Sequence, residues 1–258
     1  MRLMKRILSA AAVLALSASL LVGCSSGTAS SVPVSASSAA ESTVSSVEET
    51  ASSAVDENEA AAAQLLNDLT GSYQELWPVI LADEYKQTWL DDCTALVGED
   101  NAEAAFEKLS SMVTGDVYGE DAVKAYANGG GAYFCGFTNS LAILTFDGET
   151  STISGTDKDG NVLFSHTYHY IGMEPVRGLY EFESDDADSG EFTYFFLAPD
   201  TSAETYHIEF RYGSDAEALS QYDTGEYAYW LASGISTDCD QTMIDLSLIH
   251  ISEPTRPY

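Results

Sequence analysis

The sequence predicts an α+β domain, mainly β. A helical first third leads into an antiparallel barrel or sandwich, and a closing helix follows. Three observations predict it. Apolar residues recur at helical spacing between Asp56 and Ala127. After Gly129-Gly130-Gly131, seven short strand-like runs alternate with turn signals. A content of 45% hydrophobic and 11% aromatic residues in 258 supplies one sizeable core.

The chain opens on an export signal. Arg2, Lys5 and Arg6 precede the apolar run Ile7 to Val22, the n-region and h-region of such a segment. The run reaches Leu21-Val22-Gly23-Cys24, which resembles the lipobox of bacterial lipoproteins. Cleavage before that cysteine leaves its thiol carrying a diacylglycerol. Residues 1–23 are therefore expected to be the signal peptide and Cys24 the site of lipid attachment. Several acyl chains give stable anchoring. The protein is expected to be extracytoplasmic and lipid-anchored to a bacterial membrane. Residues 24–55 form the lipidated start and a tether. Ser25 to Ala54 holds 12 Ser, 3 Thr and 6 Ala and no aromatic, too little apolar surface to order itself. As a flexible linker it spans about 30 Å.

The folded domain is expected over 56–245. Asp56 and Glu59 form a D-x-x-E start before the helix Ala60 to Leu69, with Gly71 as its stop. Trp77-Pro78 marks a turn. A second helix is predicted over Asp83 to Val97, with Tyr85, Trp89, Cys93, Leu96 and Val97 near one face and Gly98 as the stop. A third runs over Ala102 to Val113 and a fourth over Asp121 to Ala127. The strand runs are Ala132 to Phe137, Leu141 to Phe146, Ser151 to Gly155, Val162 to Tyr170, Gly178 to Glu183, Glu191 to Leu197 and Thr205 to Tyr212. Asp147-Gly148 and Asp159-Gly160 are hairpin turns. The last run alternates cleanly: Tyr206, Ile208, Phe210 and Tyr212 share one face, and Thr205, His207, Glu209 and Arg211 the other. Tyr222 to Ala232 is aromatic-rich and covers a barrel end. The closing helix begins near Asp238.

Residues 246–258 are expected to lie outside the domain. LSLIHISEPTRPY follows Asp245 with no turn signal, and its first eleven residues back-translate to the adapter of transposon-based sequencing libraries. Re-amplifying the locus and finding these codons in place would remove that reading. His250 is left out of the site for this reason.

Charge excludes several function classes. The 10 basic and 41 acidic residues give a net charge of −31. A nucleic-acid binder needs basic partners for phosphate, so that class is excluded. Only the N-terminal run is apolar enough to enter a membrane, which excludes a multi-span transporter. The sequence carries no G-x-S-x-G and no H-E-x-x-H, and no acid/base pair stands out. Catalysis is not expected. Asp157-Lys158-Asp159-Gly160 lacks the later ligands of a calcium loop and reads as a turn. Gly129 to Gly131 is a hinge, because no Lys-Ser or Lys-Thr follows it.

Three stretches carry a family resemblance. They are Leu69-Thr70-Gly71-Ser72-Tyr73 with Leu76-Trp77-Pro78, Phe196-Leu197-Ala198-Pro199, and His207-Ile208-Glu209-Phe210-Arg211-Tyr212-Gly213. Together with Tyr227 to Gly234 they resemble the ZinT/AdcA-type zinc-binding domain family, over roughly Leu69 to Asp245. The resemblance implies a calycin-like, lipocalin-related β-barrel packed with helices. It also implies zinc binding outside the cytoplasm and delivery to a zinc ABC import system. The family's two strand histidines fall on His207 and Glu209, and its third, upstream, falls on Phe195. One ligand is kept, one is exchanged for a carboxylate, and one is lost.

The metal ligands are therefore expected to be His207 and Glu209. Residues two apart on a strand project to one face, and zinc accepts both nitrogen and oxygen. The imidazole must be neutral to coordinate, so affinity is expected to fall below about pH 6. His166 and His169 are three apart, on opposite faces of their strand, and either is a candidate third ligand. Glu181 and Glu183 share a face and offer further oxygens. Cys93, Cys135 and Cys239 allow at most one disulfide and have no C-x-x-C spacing. The expected function is capture of Zn²⁺ or a similar divalent cation, and its transfer to the importer's binding protein. The alternative is a binding module for a small apolar ligand or a cell-surface partner, for which Tyr168, Tyr170, Tyr194, Phe195 and Phe196 are the material. Convergence of His207, Glu209 and one of His166 or His169 distinguishes the two.

Overall fold

The computed structural model describes residues 57–126, 132–199 and 207–252, with side chains as far as Leu248. The expected signal peptide 1–23, Cys24, the expected tether to residue 55, Gly129–Gly131, Thr205-Tyr206 and residues 253–258 lie outside the described residues. Among the described residues, eight antiparallel strands close into a barrel in simple chain order. They are β1 (Gly71–Glu75), β2 (Ile143–Asp147), β3 (Thr152–Thr156), β4 (Val162–Met173), β5 (Tyr180–Ser184), β6 (Tyr194–Leu197), β7 (His207–Gly213) and β8 (Ala232–Ser236). β8 returns to β1 through Tyr73 opposite Ser236 and Glu75 opposite Gly234. The barrel, not the sandwich, is the outcome.

Six strand runs stand where the sequence placed them, within a few residues. Ala132 to Phe137 does not join the sheet. It runs beside the start of β8 with one parallel bridge, Phe134 to Trp230. A closed barrel leaves no edge for it to extend. β1 and β8 were not legible as strands. β1 is five mostly polar residues between two helices. β8 reads Ala-Ser-Gly-Ile-Ser, a composition of low strand propensity. Packing explains it: a Cβ on Gly234 would meet Ile208 at 3.0 Å and Phe137 at 3.4 Å. Bulk on β7 therefore requires its absence on β8.

Alternation along the strands sorts side chains into an interior and an outer face. Phe164, Tyr168, Phe182, Phe195, Phe210 and Tyr212 fill the interior, all buried. Phe195 is their centre: its ring lies 5.8 Å from Phe164, 5.4 Å from Tyr168 and 5.4 Å from Tyr212. The alternative reading needed an apolar cavity to open in the barrel, and around Phe195 aromatic rings fill the interior. The predicted hairpin turns hold. Asp147 accepts the amides of Glu149 and Thr150, and Asp157 accepts those of Asp159 and Asn161. Asp157 thereby serves its own turn, as the sequence reading of Asp157 to Gly160 requires.

The helices are α1 (57–68), α2 (Leu76–Ile80), α3 (Lys86–Val97), α4 (Glu99–Val113), α5 (Gly119–Tyr126), α6 (Ala216–Leu219) and α7 (Gln241–Ser252). Trp77-Pro78, expected as a turn, lies in the first turn of α2, where proline costs no hydrogen bond. On α3 the predicted face holds for Trp89 and Cys93, but Leu96 and Val97 are exposed in the last turn. Leu76, Trp77, Ile80, Tyr85, Trp89 and Val113 form a second core with Ile235 of β8, Ile244 and Leu248. Trp77 stacks on Trp89 at 6.3 Å, and the Trp89 indole donates to the Ile80 carbonyl. The second core seats the helical layer on the outer face of the barrel through Ile235.

α7 continues past Asp245, where the sequence reading ended the domain. Ser247 has no exposed surface and Leu248 is 1% exposed. No helix among the described residues is long and apolar enough to cross a membrane. Because Leu248 is a full member of the second core, Leu248→Ala should lower the unfolding free energy by about 2–5 kcal/mol in urea titration. An unchanged midpoint would mean that residues after Asp245 add nothing to the domain.

Candidate metal centre

His207 and Glu209 project from one face of β7, as the alternation predicted, and that face is the outer one. Their neighbours Ile208 and Phe210 point into the barrel. His207 opposes Ile235 of β8 and Glu209 opposes Ser233. His207 is 4% exposed, while Glu209 is half-buried. An imidazole and a carboxylate therefore stand side by side beneath the helical layer, where burial strengthens any interaction with a cation.

Phe195 lies on the other side of the sheet. It opposes Tyr212 and Phe182, both interior. A donor at this position would face the aromatic core, away from His207 and Glu209. The third site implied by the resemblance is thus excluded by register as well as by residue type.

His166 and His169 do not converge with the pair. His169 opposes Glu183, Glu183 opposes Tyr194, and Tyr194 opposes Gly213. Gly213 is six residues along β7 from His207, about 20 Å at the usual strand rise, and two strands, β5 and β6, intervene. His166 shares the inward face of β4 with Phe164 and Tyr168 and stacks on the Phe164 ring at 6.0 Å. Each histidine has its own aspartate: Nδ1 of His166 lies 2.8 Å from Asp186, and Nδ1 of His169 lies 2.7 Å from Asp185. Glu181 and Glu183 share the outer face of β5, as expected. Glu183 accepts the Tyr194 hydroxyl. Burial, with the charge of Glu174, holds the Glu181 carboxyl above the usual carboxylate range. Among the described residues, no three His, Cys, Asp or Glu side chains are placed to hold one ion.

One neighbour of the pair was not legible in sequence. The Ser233 amide donates to the Cys135 carbonyl, which sets Cys135 beside the residue opposite Glu209. Burial, reinforced by the Glu209 charge, pushes the Cys135 thiol up to about 12. It is therefore a neutral thiol in the metal-free protein. No sequence motif marked it, since it lies 74 positions from Glu209 on a segment with no strand partner of its own. Cys93, Cys135 and Cys239 are all free thiols.

The upper part of the same face is locked by cations. Arg211 has no exposed surface. Its guanidinium donates to the carbonyls of Leu219, Gln221 and Tyr227 and lies 4.4 Å from the centre of the Tyr222 ring. Burial lowers its pKa from the usual arginine value. Tyr222 donates to the buried carboxylate of Glu174, which also accepts the amides of Val176 and Arg177. Arg177 sits over the rings of Tyr133 and Tyr222, 4.8 and 4.6 Å away. This network fastens the 215–231 connection against β7 and fixes the strand that carries His207 and Glu209.

No protein-family model matches this chain, and no curated protein matches it. Several solved structures are similar, two of them as follows. One is the Zn(II)-bound ZinT-like domain of Streptococcus pneumoniae AdcA, at 16% identity and a TM-score of 0.46, over 71% of this chain and 89% of that one. The other is Zn(II)-bound AdcA from the same organism, at 15% identity and a TM-score of 0.46. That match covers 73% of this chain but 35% of the AdcA chain, so the likeness spans about a third of the larger protein.

The locked phenols give a pH prediction. Burial raises both Tyr212 and Tyr222 to about 12 in the folded protein. Unfolded tyrosine titrates near 10, about two pH units lower. The native state thus binds more protons between those values, and stability is full below about pH 10 and falls as pH rises through about 12. Absorbance of tyrosinate during alkaline titration should show a late fraction that ionises only with unfolding. Complete ionisation near pH 10 in a folded protein would contradict the packing.

Proposed function

We propose that this protein binds a divalent cation, zinc above all, at His207 and Glu209, and passes it to the binding protein of an ABC importer from a lipid-anchored, extracytoplasmic position. The observation that carries the reading is the pair itself: an imidazole and a carboxylate on one half-covered face of β7. Zinc takes both donor types in a tetrahedron. Two protein donors leave the other positions to water, to a rearranged Cys135 or to a partner, and such a site exchanges its ion readily. Exchange is what delivery requires. The net charge of −31 concentrates cations near the surface, an effect that salt weakens. Both solved structures named above hold zinc; for this chain the proposal stands on its own donors. The anchor rests on Leu21-Val22-Gly23-Cys24. A purely apolar ligand in the barrel is disfavoured by the rings that fill it.

Calorimetry on the metal-stripped chain should show one-to-one zinc binding that His207→Ala weakens at least about tenfold, the effect of losing one good donor. Glu209→Gln should weaken it less, because an amide oxygen still coordinates. No saturable binding by a folded sample would remove the proposal. Growth of bacteria expressing the chain on labelled palmitate should label the protein, and Cys24→Ala should abolish the label. A labelled variant would place the lipid elsewhere.

A further inference from the structure

A second site lies away from the metal pair. At the barrel end where β2, β6 and β8 begin, a cleft of about 460 Å³ is lined by Tyr118, Phe134, Tyr227 and Trp230, with Glu191 and Glu226 among them. No basic residue lines it. We infer that this cleft binds an organic ammonium ion, held over the aromatic faces and balanced by the two carboxylates.

The cleft is built. Its rings come as two pairs, Tyr118 with Phe134 at 6.1 Å and Tyr227 with Trp230 at 6.2 Å. The parallel bridge between Phe134 and Trp230 sets the pairs side by side. The Trp230 indole donates to the Gly136 carbonyl, which fixes the ring's plane. The Phe134 ring packs close over Gly115, where a Cβ would come within 2.9 Å of it. Glu191 is oriented by the Tyr227 and Ser214 hydroxyls, at 3.1 and 3.2 Å. Backbone strain gathers at the same place. Asn139, on the cleft wall, has φ of 53°, and Tyr229, adjoining Trp230, has φ of 54°. Such conformations persist where the surroundings enforce them.

The chemistry of the lining selects the ligand class. Aromatic faces present negative potential and attract a weakly hydrated cation. Carboxylates add long-range attraction that an anion or a sugar hydroxyl would not need. Rings already held in place lose little freedom on binding, so less of the interaction is spent on ordering them.

The test titrates choline and its neutral isostere 3,3-dimethylbutan-1-ol into the full chain at constant ionic strength, by calorimetry and tryptophan fluorescence. Trp230 reports on the cleft, while Trp77 and Trp89 are buried in the helical core and form a constant background. Choline is expected to bind one-to-one, with the alcohol at least about tenfold weaker. Tyr118→Ala and Glu226→Gln, both at exposed positions, should each weaken choline by about threefold or more while leaving zinc binding unchanged. Equal affinity for the alcohol, no choline binding, or unaffected variants with a native circular-dichroism spectrum would each overturn the inference. Flotation with phosphatidylcholine vesicles then separates the sources: co-flotation that free choline competes away makes the ligand a lipid headgroup, and its absence makes it a soluble amine.

Discussion

A guanidinium buried without exposed surface governs the architecture of the functional face. Arg211 has been taken out of water, and that is costly unless every donor finds a partner. Three carbonyls on the 215–231 connection and the ring of Tyr222 meet most of the need. Its Nε alone has no hydrogen-bond partner. The connection is therefore obliged to fold back over β7, and the carboxylate of Glu174 is obliged to follow, because it accepts the Tyr222 hydroxyl. A hydrophobic residue at 211 would leave those carbonyls without their donor and the connection without its anchor. The acidic balance of the chain makes the point sharper. With 10 basic residues in all, burying one of them in a structural role is a strong commitment.

Closure of the barrel is the second constraint, and it separates two chemistries. Inside, bulky rings meet at Phe195. Outside, His207, Glu209 and Arg211 alternate with those rings along one strand. A strand cannot send adjacent residues to the same face. So the interior packs mainly by aromatic rings, with the Tyr168 and Tyr212 hydroxyls bonded to backbone carbonyls, and His207, Glu209 and Arg211 are confined to the outer face. The metal pair and the arginine lock share that face. The ammonium cleft lies at the barrel end, where the strands stop and the connecting segments bring aromatic side chains together.

Much of this was legible in the sequence, for identifiable reasons. β7 alternates cleanly, so the pairing of His207 with Glu209 on one face, apart from Phe210 and Tyr212, followed from spacing alone. Asp147-Gly148 and Asp159-Gly160 announced their turns, whose backbones are capped by the Asp147 and Asp157 side chains. β8 was hidden because its small residues answer to Ile208 and Phe137 on other segments, and no local signal records that. Ala132 to Phe137 has strand-like composition but arrives at a sheet already closed. Leu96 and Val97 fit the helical period, yet their side chains are left exposed in the last turn of α3. Cys135 came to Glu209 through a long-range backbone contact, which spacing cannot reveal. The failure of His166 and His169 to reach the pair was likewise a matter of register, across the two strands that separate β4 from β7.

The central claim is the place of the ion, and anomalous diffraction at the zinc edge from crystals soaked in zinc tests it most directly. One strong peak is expected on the outer face of β7, within coordination distance of the His207 imidazole and the Glu209 carboxylate. A peak confined to surface carboxylates elsewhere, with none at β7, would contradict it.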